Sequence, residues 1–188
     1  NLLNAPDTYM QKIAVGPLGR GVVDIMESAK ENLGRLSEVK KCRIQDLTVV
    51  ILDRERHQDL IQEVRDAGAR IQLIGDGDVA SAMACADPLS GVDMLLGIGG
   101  APEGVIAAAA LQCKGGDLQG ILKPRNNDEV LRAKKMGIDD INKVFSIRQF
   151  INFRCNHFIS WNIILTLSQF FGQFNHLFLS KFYFFCFS

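Results

Sequence analysis

Before Phe145 the chain has one aromatic residue, Tyr9, and after Asp140 it has no acid. All twelve Phe, together with Trp161 and Tyr183, fall in residues 145–188, a stretch without Ala or Pro and with one Gly, Gly172. That break excludes a uniform core running the whole length. The formal net charge of zero therefore hides an acidic body. Residues 1–144 hold all 21 acids and 18 of the 21 bases, a net of −3. Such a balance argues against coating a nucleic acid, though not against a local phosphate pocket. The five cysteines (Cys42, Cys85, Cys113, Cys155, Cys186) are scattered, with no CxxC pair. That spacing excludes a zinc ribbon or a disulfide framework and favours buried thiols in a reducing compartment. The expected location is the cytoplasm, with a plastid as the alternative. No apolar run approaches the about 20 residues of a membrane span, so a membrane role is not expected. The best run, 158–171, is broken by Ser160, Asn162, Thr166, Ser168 and Gln169. A Walker loop and GxGxxG spacing are absent too. The chain begins with Asn and reads as a piece of a longer one, so targeting is not judged from it.

What is present before residue 145 is an alternation of short apolar runs and helical patterns. A strand is expected over 9–16, ended by Gly16-Pro17. From Asp24, Ile25, Ala29, Leu33, Leu36 and Val39 recur at helical spacing. Leu47–Leu52 (LTVVIL) fits a strand buried on both faces, as in a parallel sheet. Leu60, Ile61, Val64 and Ala67 mark a helix with Gly68 as its C-terminal cap. Strands at 71–74, 92–96 and 117–122 and helices at 79–86, 102–111 and 128–136 complete the series. This predicts a layered α/β fold with right-handed crossovers.

In such folds ligands sit at the carboxyl ends of strands, and four candidate groups fall there. Asp53-Arg54-Glu55-Arg56 puts two guanidinium groups just past a buried strand. Arg forks match phosphate oxygens, although the same residues make a solvated helix start. Asp76-Gly77-Asp78 places two carboxylates in a glycine turn, where they could meet sugar hydroxyls or a metal. Asp78 is equally suited to capping the next helix. Gly97-Ile98-Gly99-Gly100-Ala101-Pro102-Glu103 reads as a glycine-rich turn able to offer backbone N–H groups to an anion. Glu103 either complements the helix dipole or binds a divalent cation. Tyr9 either donates its phenol to a phosphate or fills the core. His57 reads as a helix-surface residue.

The segments YMQKIAVG, DLTVVILDRERH, GARIQLIGDGDVA and VDMLLGIGGAPEGVIAAAALQCKGGDLQGIL, followed by RAKKMGI, resemble class II fructose-1,6-bisphosphatase. The cyanobacterial type that also takes sedoheptulose 1,7-bisphosphate is especially similar. The resemblance covers residues 5–144 and implies the layered inositol monophosphatase/fructose bisphosphatase-like fold, here partial. It implies hydrolysis of the 1-phosphate of a sugar bisphosphate with Mn²⁺ or Mg²⁺, and a parent enzyme that is a homo-oligomer. Carried over by position, Tyr9, Arg54 and Arg56 would hold the phosphate that is not cleaved, with Glu55 among the substrate-binding residues. Asp76, Gly77 and Asp78 would meet sugar hydroxyls, Gly100 would contact substrate through its backbone, and Glu103 would ligate the metal. The remaining metal carboxylates and the threonine beside the scissile phosphate belong to a preceding half that has no counterpart here. No catalytic residue is therefore assigned, and the chain alone is expected to be inactive. A non-catalytic sugar-phosphate-binding module and a membrane-tethered variant are the alternatives. Residues 145–188, rich in residues with A/T-rich codons, read as translated non-coding or frame-shifted DNA outside the fold; a membrane or partner-binding tail is the other reading.

Overall fold

The structure, a computed structural model, describes residues 6–151. The membrane and non-coding readings of the Phe-rich tail thus fall on residues outside those described, apart from its first seven. Among the described residues no helix is long and apolar enough to cross a membrane.

Six strands form one sheet: β1 (Tyr9–Val15), β2 (Thr48–Leu52), β3 (Arg70–Ile74), β4 (Met94–Gly100), β5 (Asp117–Lys123) and β6 (Phe145–Ser146). Their order is β3-β2-β4-β1-β5-β6. The sheet is mixed rather than all-parallel. β2 pairs in parallel with β3 and β4, whereas β1 is antiparallel to both β4 and β5, and β5 is antiparallel to β6. The carboxyl ends of β2, β3, β4 and β5 and the amino end of β1 consequently lie at one pole. Tyr9 stands level with Gly100 on one side and Lys123 on the other.

Strand alternation divides the core in two. Met10, Ala14, Val50, Leu95, Leu118 and Leu122 face the layer containing α3 (Asp78–Ala84), α4 (Ala101–Cys113), α5 (Asn127–Lys135) and the short α6 (Ile147–Phe150). Ile13, Val15, Val49, Ile51, Met94, Leu96 and Ile121 face α1 (Ala29–Lys40) and α2 (Gln58–Asp66). Helices therefore cover both faces, as the layered reading required. β2, in the interior of the sheet, is buried on both sides.

Three boundaries differ from expectation, each for a local reason. α1 starts at Ala29, not Asp24, because Ser28 and Glu31 form a capping box: the Ser28 hydroxyl accepts from Glu31 N and the Glu31 carboxylate from Ser28 N. β4 continues through Gly100, so Gly97–Gly100 is strand paired with Lys12–Tyr9 rather than a turn. The fold also passes the expected limit at residue 144. Phe145 pairs with Gly120, and Phe145, Ile147 and Phe150 are buried against α4 and β5, with the two phenyl centroids 5.9 Å apart. The compositional break at residue 145 misled because these first aromatic residues close the core.

Candidate functional site

Past β2 the chain makes a 3-10 turn, Glu55–His57, before α2. That turn leaves Arg54, Glu55 and Arg56 exposed and drives His57 inward to 1% exposure. His57 is thus a core residue, correcting the surface reading. Its Nδ1 lies 2.7 Å from the Leu52 carbonyl and its Nε2 accepts from the Ile98 N–H at 2.8 Å. A carbonyl needs a donor, so Nδ1 carries the proton and the ring is neutral. Burial, and then the neighbouring arginines, push its pKa down against the hydrogen bonds to Leu52 and Ile98 that raise it. Gly97 adopts φ +142°, and a Cβ there would sit 3.3 Å from the imidazole. Glycine is required at that point for both conformation and space.

The carbonyl of the same residue, Ile98, holds Arg56. Its Nε and Nη2 donate to the Ile98 carbonyl at 3.3 and 2.8 Å, and its guanidinium carbon lies 4.8 Å from the Tyr9 ring centroid. Arg54 donates from Nη2 to the Gly75 carbonyl at 2.6 Å, tying the tip of β2 to the turn after β3. Glu55 stands exposed between the two arginines.

Asp76 is exposed and accepts the Gly77 N–H at 2.8 Å. Gly77, not Asp78, is the N-cap residue of α3. Asp78 opens that helix, is 5% exposed, and forms a buried ion pair with Lys12, itself 3% exposed. Lys12 also donates to the Gly100 carbonyl at 3.2 Å. A Cβ on Gly99 would lie 2.4 Å from Asp78 Oδ2, so the bare strand is what admits the pair. Asp78 therefore fixes the β4 tip from beneath, with Oδ2 committed to Lys12. The Glu103 carboxylate turns back to accept the Gly100 N–H at 3.0 Å. Gly100 thus has its carbonyl on Lys12 and its N–H on Glu103, and does not present an open anion-binding amide.

Tyr9 with Arg56, Arg54 with the Gly75 carbonyl, Asp76 with Gly77, and Asp78, Gly100 and Glu103 through Lys12 and the Gly100 N–H all lie at one pole of the sheet, as separate links. Sequence reasoning missed Lys12, His57, Thr8, Arg125 and Glu129. A lysine inside an apolar strand was one available signal. Arg125, two residues beyond β5, obeys the same strand-end rule that picked out Arg54 and Arg56. His57 carried no signal. Among the described residues no three His, Cys, Asp or Glu side chains come together as metal ligands. Glu103 offers at most one ligand, one of its oxygens is already bonded, and Asp78 is neutralised. The described residues do not by themselves make a metal centre.

At the opposite end of β1, a cavity of about 330 Å³ is lined by Gly16, Lys40, Cys85, Asp87 and Asp93 among others. Lys40 and Asp93 are paired there, and burial pushes the Cys85 thiol up to about 12.

A family model described as bacterial fructose-1,6-bisphosphatase, glpX-encoded, matches residues 1–163. Curated relatives named D-fructose 1,6-bisphosphatase class 2/sedoheptulose 1,7-bisphosphatase are similar over most of the chain. The protein of Crocosphaera subtropica is 45% identical over 157 residues, 77% of this chain and 46% of its own length. That of Thermosynechococcus vestitus is 47% identical over 161 residues, 79% of this chain and 46% of its own. That of Prochlorococcus marinus is 45% identical over 161 residues, 79% and 48% respectively. The chain spans about half the length of the curated relatives it matches.

Proposed function

Because this chain belongs to the glpX-encoded bacterial fructose-1,6-bisphosphatase family, we propose that its glycine-edged pole binds a sugar bisphosphate and forms part of a phosphatase of the Calvin cycle and gluconeogenesis. The observation that carries the reading is the stacking of Arg56 on Tyr9 and the anchoring of Arg54 to the Gly75 carbonyl at the tips of β1, β2 and β3, beside a β4 tip held by Lys12 and Glu103. Guanidinium forks anchored through one edge keep their other donors for phosphate oxygens. A phenol beside them adds a neutral donor at the same place. Arg54 and Arg56 are the groups we assign to the phosphate that is retained, and Asp76 is the acceptor for a sugar hydroxyl. Asp78 acts through Lys12 and Gly100.

Fructose 1,6-bisphosphate is the proposed substrate of the complete enzyme, with sedoheptulose 1,7-bisphosphate as a second. Hydrolysis would release the 1-phosphate. Mn²⁺ or Mg²⁺ is the proposed metal and Glu103 one of its ligands. Since the described residues do not complete that centre, no hydrolytic step is assigned to them, and this chain alone is proposed to bind without appreciable turnover. A homo-oligomeric parent enzyme, the absence of a nucleic-acid partner and a reducing location, cytoplasmic or plastid, belong to the same proposal.

Isothermal titration of the 188-residue chain with fructose 1,6-bisphosphate, paired with phosphate release in Mn²⁺, tests it. We expect saturable binding and phosphate release at least about 10²-fold below that of a full-length relative. Binding that cannot be detected overturns the site. Release matching a full-length relative overturns the division between binding and chemistry.

A further inference from the structure

Arg125 lies beside Tyr9 as Arg56 does. Its guanidinium carbon is 4.8 Å from the ring centroid, the same separation as Arg56. The two arginines come from different strand ends, β5 and β2.

The position of Arg125 is set by a carboxylate that also lies 3.7 Å from Arg132 Nη2. Glu129 is 1% exposed on α5. It accepts the Thr8 hydroxyl at 2.6 Å, the Arg125 backbone N–H at 2.8 Å and Arg125 Nε at 2.7 Å, and its Oε1 lies 2.5 Å from Arg125 Nη2. The Arg125 side chain, then the Thr8 hydroxyl, hold that carboxyl down at about 2, so it stays ionised. The Arg125 head nonetheless remains 55% exposed. Its Nε and Nη2 edge is taken by Glu129, just as the Nε and Nη2 edge of Arg56 is taken by the Ile98 carbonyl. In both residues Nη1 is left without a protein acceptor among the described residues. Two pre-set forks with spare donors over one phenol match an anion with several oxygens.

Resting on the sugar-phosphate reading above, we propose that Arg125 and Arg56 form a two-guanidinium clamp across Tyr9. The clamp grips the phosphate that is not hydrolysed, and Glu129 is the positioning residue for Arg125. It discriminates between the two ends of the substrate, because only a phosphate far from the reacting carbon reaches it.

The test is calorimetric titration of the full chain with fructose 6-phosphate and with fructose 1-phosphate, for the wild type, Arg125→Gln and Arg125→Lys. Loss of one charge-assisted contact should weaken fructose 6-phosphate by about tenfold or more in Arg125→Gln, with fructose 1-phosphate changed by less than about twofold. Arg125→Lys keeps the charge but not the fork and should fall between. It also serves as the probe if Arg125→Gln does not fold, and an unchanged fructose 6-phosphate affinity in it then overturns the clamp. Wild-type binding of fructose 6-phosphate that survives Arg125→Gln overturns the clamp and leaves the site standing. Equal weakening of both ligands also overturns it, since Arg125 would then act only through the fold. A wild type that binds neither ligand overturns the sugar-phosphate reading, and the clamp with it.

Discussion

At the scale of single residues, the pole is governed by charges placed where water does not reach. Lys12 and Asp78 are both nearly inaccessible and are bonded to each other. Removing one member strands the other, which typically costs about 3–5 kcal/mol. Lys12→Met should therefore destabilise the chain by that amount in urea unfolding, and Lys12→Met with Asp78→Leu should recover much of the loss. If Lys12→Met costs under about 1 kcal/mol, the pair is not buried as described. Protonation gives a second residue-scale prediction. The folded Glu129 carboxyl titrates at about 2 against an ordinary 4.5, so the unfolded chain binds more protons between those values. Stability from this group is complete above about pH 4.5 and is lost as pH falls toward 2. Glu129→Gln should remove that part of the acid slope. His57, pushed below its ordinary 6.5, acts in the same direction at higher pH, because the unfolded chain takes up the proton first as pH falls below 6.5. Of these residues Lys12, a lysine in an apolar strand, carried a signal that the sequence reading passed over. Its partner lies 66 positions away and could not be read without the fold. The buried, neutral His57 was equally hidden, since its ring is matched to the Leu52 carbonyl and Ile98 N–H by tertiary packing alone.

At the scale of elements, periodicity located most helices and strands because most bury one face or two; the edge strand β3, with no fully buried residue, does not. It failed where side chains are missing. Gly97, Gly99 and Gly100 carry no hydrophobic pattern, yet they continue β4 beneath His57 and the Lys12–Asp78 pair. It also could not give strand direction: β1 is antiparallel to both its neighbours, and nothing in YMQKIAV marks that. The end of the fold was misplaced for a compositional reason. Phe150 is fully buried, and a Cβ on Gly120 would lie 2.8 Å from its ring and 2.6 Å from Met10 Sδ. Phe150→Ala should cost about 3–5 kcal/mol in the full chain. Gly120→Ala should cost about 1–3 kcal/mol by overpacking the same contact. If thermal unfolding is unmoved by both, the core ends before residue 145 after all.

At the scale of the whole molecule, four strand ends and one strand start converge, and the side chains proposed to meet the ligand sit at that convergence. The strand-end rule placed Arg54, Arg56, Asp76 and Glu103 at this pole from the sequence, and the fold puts them there. It did not separate Asp78, which faces inward, from Asp76, which faces out, because one residue of helix start decides between them. The opposite pole carries its own cavity around Lys40 and Asp93, so the two ends of the sheet offer a direct comparison. Amide chemical-shift mapping of the full chain during titration with fructose 6-phosphate makes that comparison in one measurement. Saturable shifts centred on Arg54–Arg56, Asp76–Asp78 and Ile98–Gly100, with Gly16, Lys40 and Asp93 still, are the predicted result. Shifts centred on Gly16, Lys40 and Asp93, or no saturable shift at the glycine-edged pole, would contradict it.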